Sequence, residues 1–354
     1  MENRKKKLNA FEAMSQAQML TFYPIVFQAV VAAKRLGILQ FLNENKGFNL
    51  VEDIAQGVDV SEYGVRILLD MCCKVQVSER NENDEFAIGT VGFFILNDTQ
   101  TSTNLNFVQD VCYQGAFHMT ESIKESKPVG LKEFGNWDTL YEGLLDLPKD
   151  VLKSWFEFDH FYSDNIFRES MKIIFSSSPK SIIDIGGNTG KFIIEVCNHD
   201  NDIKATIIDL KQQLIEANKN IKAKGFSDRV TFVEQNILDK EMNFSFNTDV
   251  IWMSQFLDCF SEDEIALILN NISKSINKET RILINETFWD NQKFESAEYC
   301  LLGTSLYFTA IANGNSRMYS EKIFNKIIEK TNLDVVSRSS LGNHHTLLEL
   351  RLSN

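Results

Sequence analysis

Three side chains in this sequence are candidates for acid–base chemistry. Asp258 lies in the stretch QFLDCFSEDE, between large apolar residues and after the strand-like run DVIWM. Glu286 follows the apolar run RILIN, and His160 lies in the aromatic segment SWFEFDHFYSDNIF. Carboxylates and imidazoles accept protons in catalysis when burial or nearby charge brings their pKa close to the working pH. The sequence therefore predicts a catalytic group here, and it leaves open whether Asp258 or His160 is the base.

A glycine-rich loop, IIDIGGNTGK, lies between a strand-like run and a helix-like run. Ligands of open α/β sheets bind at the carboxyl ends of strands, where small residues let the backbone approach them closely. The loop lacks the GxGxxG pattern of nicotinamide sites. It satisfies DxGxxxG through Asp184, Gly186 and Gly190, with Gly187 beside them, and this pattern is typical of S-adenosylmethionine sites.

The ends of the next two strand-like runs bring further side chains to the same edge of the predicted sheet. Asp209, followed by Leu210, ends the second run, and Asn236 and Ile237 end the third. A carboxylate at the second strand end accepts hydrogen bonds from ribose hydroxyls. We expect Asn236 to meet the amino edge of adenine and Ile237 to pack on its ring.

The elements that position these residues alternate from Lys180 onward. Short apolar runs alternate with helical ones: SIIDIG, ATIID, VTFVEQ, DVIWMS and RILINE are the strand-like segments. This pattern predicts a parallel α/β sheet with crossover helices. The last two runs, LDVVSRS and TLLELRL, surround a turn at LGNHH and predict a closing antiparallel pair.

The N-terminal third has a different pattern. A long helix is predicted from Pro24 to about Glu44, followed by two shorter helices, the second with Ser61 as its N-cap, and a hairpin formed by VQVSER and EFAIG. This order describes a winged-helix unit. Its candidate recognition helix carries only Arg66 and Lys74 as cations, which disfavours binding to DNA phosphates.

The composition limits the partners of the chain. A formal net charge of -13 over 354 residues disfavours nucleic acids and anionic membranes, and the one basic run, RKKK at 4–7, is predicted to be a solvated tail. The apolar run PIVFQAVVAA is short and closed by Lys34 and Arg35, so neither a signal peptide nor a membrane span is expected. Six cysteines without CxxC spacing predict neither disulfides nor a metal site. We expect a cytoplasmic protein.

Taken together, these motifs resemble the O-methyltransferase family that acts on phenols and hydroxyindoles. The resemblance covers about Ala17 to the C-terminus and includes the winged-helix layout, DIGGNTG, the loop LDCFSEDE, where members read leucine-histidine-aspartate-tryptophan-serine-acid, and INETF. It implies a seven-stranded Rossmann-like class I sheet and a homodimer built through the N-terminal domain. It also implies cofactor contacts at Gly186, Asp209, Asn236, Ile237 and Ser254, and a catalytic pair at Asp258 and Glu286.

The implied domains are a winged-helix dimerisation domain over residues 1–100, a helical connector that contributes to the substrate pocket over 101–178, and the methyltransferase domain over 179–354. Rings of the connector and of later helices are predicted to line the pocket. They are Trp155, Phe161, Tyr162, Trp289 and Tyr307.

The sequence departs from the family at four positions. Asn188 replaces the middle glycine of the loop, and Ser254 replaces a lysine. Asp258 stands where members carry the catalytic histidine, and Met318 stands where they carry a second glutamate. The change at 258 matters most, because passing a proton from a phenol to an ordinary aspartate is uphill by about 8 kcal/mol, against about 5 kcal/mol for histidine.

Several functions stay open at this point. Burial among apolar residues would raise the pKa of Asp258 and make it a better base. The expected activity is O-methylation of a small phenolic or polyketide-like acceptor, with Glu286 orienting Asp258 or bonding the acceptor hydroxyl. The alternatives are C-methylation of a phenolic ring, a protein that binds the cofactor without transferring methyl, and a winged-helix transcriptional regulator.

Overall fold

A computed structural model describes residues 7–239 and 245–353 and divides the chain into two compact units, Met1–Gln109 and Asp110–Asn354. Most of the predicted basic tail lies outside the described residues, and Lys7 is exposed. Within the described residues no single helix is long and apolar enough to cross a membrane, although the first two helices pass that test together as a pair bent by 59°.

The first unit is a helical bundle with a two-stranded wing. Its elements are α1 (Ala10–Arg35), α2 (Ile38–Glu44), α3 (Val51–Val58), α4 (Glu62–Lys74), β1 (Ser78–Arg80), β2 (Phe86–Ile88), α5 (Thr90–Asn97) and α6 (Thr99–Phe107). The strands β1 and β2 pair antiparallel, as the hairpin prediction required. Ser61 accepts the amide N–H of Gly64, which confirms it as the N-cap of α4.

The prediction of one helix from Pro24 to about Glu44 is right about its end and wrong about its start and its continuity. Asn9 and Glu12 form a capping box that starts α1 at Ala10, well before Pro24. The helical path then breaks after Arg35, because Gly37 has a φ of 79° and the chain restarts as α2. Glycine reaches this left-handed region without the steric cost that other residues incur.

The second unit contains a seven-stranded sheet with helices around it. Its strands are β3 (Ser181–Ile185), β4 (Lys204–Asp209), β5 (Val230–Glu234), β6 (Val250–Ser254), β7 (Arg281–Glu286), β8 (Leu333–Leu341) and β9 (His345–Leu352). The order is β5-β4-β3-β6-β7-β9-β8, and only the pairings of β9 are antiparallel. The predicted Rossmann-like class I sheet with its closing antiparallel pair is confirmed.

The helices of the second unit are α7 (Met119–Glu125), α8 (Lys149–Asp164), α9 (Phe167–Ile174), α10 (Lys191–His199), α11 (Lys211–Ala223), α12 (Glu262–Ser273), α13 (Glu295–Tyr307) and α14 (Glu321–Ile328). Short 3₁₀ turns include Leu257–Cys259 and Trp289–Asn291, and π-helical turns span Val108–Cys112 and Phe308–Ala312. The stretch 101–178, predicted as a helical connector, therefore contains most of α6, a π-helical turn, α7 to α9 and several 3₁₀ turns.

The strands alternate their side chains between two buried apolar clusters. Along β6, Ile251 and Met253 join the cluster under α12 and α14, whereas Val250 and Trp252 join the cluster under α9, α10 and α11. A strand buried on both faces reads as a continuous apolar run, which is why DVIWM gives a strong strand signal. This two-sided core fixes the carboxyl ends of β3, β4, β6 and β7 at one edge of the sheet.

Candidate active site

The glycine loop leaves the carboxyl end of β3 at the point where the sheet order reverses. Gly186 has a φ of 76° and donates its amide N–H to the carbonyl of Ile208 at 2.9 Å. Asn188 has a φ of 45°, a conformation that asparagine tolerates better than most residues, and Gly190 has a φ of 76° at the start of α10. The loop is therefore a tight backbone cradle, and replacing its middle glycine by asparagine preserves the turn.

The carboxylate of Asp209 lies against this loop from the end of β4. Its Oδ2 accepts the Asn188 amide N–H at 2.8 Å, and its Oδ1 accepts the Leu210 amide N–H at 2.7 Å. Burial raises the pKa of Asp209 to about 6, although the two hydrogen bonds act in the opposite direction and lower it. Each carboxylate oxygen has a further lone pair available, so the group is able to accept hydroxyl donors as well.

Asp184 lies beneath the loop and not on its surface. Its side chain is 3% exposed, and its Oδ2 has no hydrogen-bond partner among the described residues. A Cβ placed on Gly187 would lie 2.8 Å from this oxygen, so the loop needs a glycine there. Burial, together with the charge of Asp209, raises the pKa of Asp184 well above its usual range.

The other cofactor residues predicted from the sequence also lie at this edge. Ser254 ends β6 and accepts the side-chain N–H of Asn285 at 2.9 Å. Asn236 is exposed after β5 and accepts the amide N–H of Leu238 at 3.0 Å, whereas Ile237 is buried. The structure thus places them at or just after the carboxyl ends of β5 and β6, and their contacts with a cofactor stay a prediction.

The loop that carries Asp258 packs directly on the glycine loop. A Cβ placed on Gly186 would lie 2.2 Å from the ring of Phe256. Phe256 and Asp258 are only two residues apart, so the candidate base lies beside the candidate cofactor site. Ser261 caps α12 through a capping box with Glu264, so Asp258 is free of that capping role.

The environment of Asp258 changes its acidity. The residue is 5% exposed, and burial raises its pKa to about 7. A hydrogen bond from the Cys259 thiol opposes this rise, and the charge of Asp159 adds to it. A carboxyl with a pKa near 7 has the acidity of an ordinary histidine, which is the side chain that the family carries here.

Glu286 holds the backbone of the Asp258 loop. Its Oε1 accepts the amide N–H groups of Phe256 at 3.2 Å and Leu257 at 3.0 Å. Its side chain is 2% exposed, and Oε2 has no hydrogen-bond partner among the described residues. Burial, followed by the charge of Asp258, raises the pKa of Glu286 well above its usual range.

No role was assigned from the sequence to four residues at this site, which are Tyr141, Cys259, Asn313 and Asp159. Tyr141 donates its hydroxyl to Cys259 Sγ at 3.1 Å, and Asn313 donates its side-chain N–H to the Cys259 carbonyl at 2.6 Å. Asp159 accepts the side-chain N–H of Asn188 at 3.1 Å. Tyr141 and Asn313 lie in irregular segments far from Asp258 in sequence, so no hydrophobic periodicity predicts that they contact the Asp258 loop.

His160 contacts residues of its own helix, and the preceding residue, Asp159, is the one that contacts the glycine loop. Its Nδ1 lies 3.8 Å from Asp159 Oδ2 and 3.6 Å from Asp164 Oδ1, and its ring stacks on Phe156 at 5.6 Å between centroids. These contacts are with α8 itself. The structure therefore places Asp258, and not His160, in the loop held by Glu286.

Aromatic side chains converge near this loop from two helices. Trp155 donates its indole N–H to the Tyr307 hydroxyl at 2.9 Å, and both side chains are buried. Burial raises the pKa of Tyr307, and the charge of Asp159 adds to the effect.

The other rings predicted for the pocket have different contacts. The Tyr162 ring lies 5.2 Å from Phe161 and 6.3 Å from His344, and the Trp289 amide N–H bonds the Tyr319 carbonyl at 3.2 Å. Their part in a pocket stays a prediction.

Met318 stands where the family resemblance implies a second glutamate. Met318 is buried, and its Sδ accepts the hydroxyl of Thr287 at 3.8 Å. Within the described residues no group of three or more His, Cys, Asp or Glu side chains is arranged to hold a metal ion.

The donor set of this edge fits S-adenosylmethionine. The glycine loop offers a backbone cradle that a Cβ would fill, Asp209 offers acceptors for hydroxyls, and Asp184 Oδ2 is a buried oxygen without a partner. The seven-stranded order with a glycine loop after β3 and a carboxylate after β4 defines a class I methyltransferase fold.

Comparison with known proteins gives the family. Residues 164–331 match the O-methyltransferase domain family, and residues 15–86 match the Dimerisation2-like domain family. The part of the chain from 164 to 331 therefore matches the O-methyltransferase domain family, and the resemblance inferred from the motifs is confirmed.

Similar proteins share modest sequence identity. An L-tyrosine C(3)-methyltransferase of Streptomyces lavendulae is 22% identical over 227 residues, which cover 64% of this chain and 61% of that relative. A mitomycin 7-O-methyltransferase structure aligns with a TM-score of 0.72 and 19% identity over 96% of this chain and 98% of its own. The human N-acetylserotonin methyltransferase aligns with a TM-score of 0.67 and 16% identity over 100% of both chains. The chain thus spans about three fifths of the curated relative, and the solved structures share its fold.

Proposed function

We propose that the protein is an S-adenosylmethionine-dependent methyltransferase that methylates an oxygen of a small aromatic acceptor. One observation carries the proposal: a buried carboxyl, Asp258, with its pKa raised to about 7, lies in a loop packed on the glycine cradle. The family match supports the reaction class, and the cradle with Asp209 supports the cofactor.

The proposed cofactor contacts follow from the edge of the sheet. Bound S-adenosylmethionine supplies an activated methyl group on a sulfonium. Asp209 holds the ribose hydroxyls, the Gly186 to Gly190 backbone approaches the cofactor, and Asn236 with Ile237 receives the adenine. Ser254 stands where the family carries a lysine, so one positively charged contact to the cofactor is absent at this edge of the sheet.

Asp258 acts as the base in this proposal. With its pKa near 7, taking a proton from a phenol with a pKa of about 10 is uphill by about 3 units, or about 4 kcal/mol. An ordinary aspartate would face about 8 kcal/mol for the same step. Burial therefore gives the aspartate the basicity that histidine supplies in members of the family.

Glu286 has a supporting role. It fixes the loop by accepting two backbone amide N–H groups, and burial together with the charge of Asp258 raises its own pKa. This role differs from the predicted orientation of the Asp258 side chain, and we propose it as a positioning role. Alignment of the acceptor with the methyl group and exclusion of water then provide most of the rate.

A small aromatic acceptor fits the side chains near Asp258. Buried Trp155 and Tyr307 and half-buried Tyr141 supply flat surfaces on the elements around this loop, as sites for apolar rings require. The mitomycin enzyme and the human N-acetylserotonin enzyme are named for ring-containing acceptors, which agrees with this class.

The proposal is tested with labelled S-adenosylmethionine and a panel of phenols, naphthols and hydroxyindoles. We expect saturable cofactor binding by calorimetry and a labelled O-methyl product by mass spectrometry. Cofactor binding without any product across the panel would support a non-catalytic protein instead. Saturation by a nicotinamide dinucleotide without binding of S-adenosylmethionine would contradict the proposal entirely.

C-methylation of a phenolic ring is the second candidate. It is favoured by the similarity to an L-tyrosine C(3)-methyltransferase and by the carboxyl at 258, which suits orientation of a hydroxyl and removal of a ring proton. Mass spectrometry with fragmentation separates the two products, because an O-methyl ether and a ring methyl break differently.

We propose that residues 1–100 form a dimerisation domain, 101–178 a connector that contributes to the acceptor pocket, and 179–354 the methyltransferase domain. The match to the Dimerisation2-like family supports a homodimer. All six cysteines are free, which supports action in the reducing cytoplasm.

The homodimer proposal has a direct test on α1. This helix exposes large apolar side chains that a monomer rarely leaves in water. They are Phe11, Met14, Met19, Leu20, Phe22, Tyr23 and Ile25. The double change Leu20→Glu and Ile25→Glu is expected to convert a dimer to a monomer in sedimentation experiments.

The control is Ile215→Glu on α11, which is equally exposed at 62% and lies in the other unit. This variant is expected to stay dimeric. A wild-type protein that sediments as a monomer at micromolar concentration would contradict the proposal.

A further inference from the structure

Cys259 bridges two other side chains at the active site. The Tyr141 hydroxyl lies 3.1 Å from Cys259 Sγ, and the same sulfur lies 3.5 Å from Asp258 Oδ1. Tyr141 belongs to the segment before α8, and Cys259 belongs to the 3₁₀ turn after β6. The three side chains therefore form a continuous hydrogen-bonded chain that ends on the candidate base.

The direction of the hydrogen bonds follows from the chemistry of the groups. An ionised carboxylate only accepts, so the Cys259 S–H donates to Asp258, and the sulfur accepts the Tyr141 O–H. Burial raises the pKa of the Cys259 thiol and of the Tyr141 phenol, so both keep their protons at neutral pH. The thiol therefore donates to Oδ1 of Asp258.

The backbone around Cys259 is fixed by other elements. Asn313 binds the Cys259 carbonyl at 2.6 Å, and the Tyr319 hydroxyl binds the Phe260 carbonyl at 2.6 Å. Glu286 holds the amide N–H groups on the other side of Asp258. The backbone of Cys259 is therefore held by the loop, and the Tyr141 hydroxyl contacts the sulfur itself.

We propose that Tyr141 and Cys259 are positioning residues that orient the Asp258 carboxyl and stabilise its ionised form. This inference rests on the proposed function, in which Asp258 is the base. It also explains why cysteine is useful at a position where the family carries aspartate: a second buried carboxylate would repel Asp258, whereas a neutral thiol donates to it.

The groups around Asp258 differ in whether they favour or oppose ionisation of its carboxyl. Glu286 from β7 and Asp159 from α8 are acidic, and Tyr319 faces the loop from the segment before α14. Burial opposes ionisation of Asp258, and so does the charge of Asp159. Among the side chains near Asp258, Cys259 favours the ionised form.

The test compares Cys259→Ala, Cys259→Ser and Tyr141→Phe. Asp258 must be ionised to accept a proton, so activity rises with pH through its pKa. Removing the thiol donor is expected to raise that pKa and move the acidic limb of the kcat/KM profile upward by about one pH unit, a roughly tenfold rate loss below the midpoint. Cys259→Ser keeps a donor and is expected to restore the midpoint, and Tyr141→Phe is expected to give a smaller upward shift.

A second readout does not need turnover. The carbonyl stretch of the protonated Asp258 carboxyl is followed by infrared difference spectroscopy against pH, with Asp258→Asn to assign the band. The same upward shift is expected for Cys259→Ala, and the exposed Cys300→Ala serves as the control. A midpoint unchanged in Cys259→Ala by both readouts would overturn the inference.

The two readouts separate the inference from the function it rests on. Absence of turnover in the wild type with an intact infrared shift would reject the proposed function and keep the hydrogen-bonded chain. Turnover in the wild type without a shift in either readout would reject the chain alone. Calorimetric binding of S-adenosylmethionine to each variant checks that the cofactor edge is intact.

Discussion

Replacing Asp258 with asparagine is expected to slow methyl transfer by about 10²- to 10⁴-fold, the range for loss of a positioned general base. The amide keeps the shape of the side chain but does not accept a proton. Single-turnover measurement of product with saturating cofactor isolates the chemical step. A rate within threefold of wild type would show that Asp258 is not the base.

The control for this variant is its affinity for the cofactor. The glycine cradle is built by β3 and Asp209, so calorimetry should give wild-type binding of S-adenosylmethionine to Asp258→Asn. His160→Ala provides the comparison at the other candidate base. It is expected to slow transfer far less, because the contacts of His160 are with carboxyls of its own helix.

The same substitution has a stability consequence with a defined sign. Folding raises the pKa of Asp258 from about 3.9 to about 7, so the folded protein favours the protonated carboxyl, and stability falls as pH rises between these values. Asparagine removes this cost. Above pH 7 the free energy of unfolding of the variant, measured by urea titration, should exceed that of the wild type by at most about 4 kcal/mol. This difference should vanish near pH 4.

Replacing Gly186 with alanine is expected to disrupt the cofactor cradle. The new Cβ would lie 2.2 Å from the Phe256 ring, and the backbone φ of 76° adds strain. Overpacking costs about 1–3 kcal/mol and left-handed strain about 1–2 kcal/mol, so the free energy of unfolding should fall by about 2–5 kcal/mol. Displacement of Phe256 should also weaken binding of S-adenosylmethionine by at least about tenfold.

Gly225 offers a matched control for this experiment. Its φ is 78°, and a Cβ there would meet nothing within 4 Å, so Gly225→Ala carries the strain without the clash. Urea unfolding should show only the strain cost of about 1–2 kcal/mol, and cofactor binding should be unchanged. Equal losses in the two variants would mean that Phe256 moves aside at no cost.

Much of the fold was predictable because its signals are local. The runs SIIDIG, ATIID and DVIWMS are apolar throughout, as strands covered on both faces must be, and the turn at LGNHH separates the last two strands. The glycine loop was predictable because a backbone with positive φ at Gly186 and Gly190 restricts the residue types that fit. Burial of Asp258 was also foreseeable from its apolar neighbours.

The contacts that tune the site were not predictable in the same way. Tyr141 reaches Cys259 across 118 residues of sequence, and Asn313 reaches it across 54. Such contacts depend on how loops from separate elements meet, and no periodic pattern encodes them. The start of α1 was missed for a different reason: its signal is the capping box at Asn9 and Glu12, outside the apolar run that suggested the helix.

The way Glu286 holds the active-site loop has a consequence for how such enzymes diversify. Because Glu286 secures the loop through the main chain of Phe256 and Leu257, this anchor does not involve the side chain at 258. An exchange between histidine and aspartate at that position therefore leaves the two anchoring hydrogen bonds in place while it changes the chemistry offered to the acceptor.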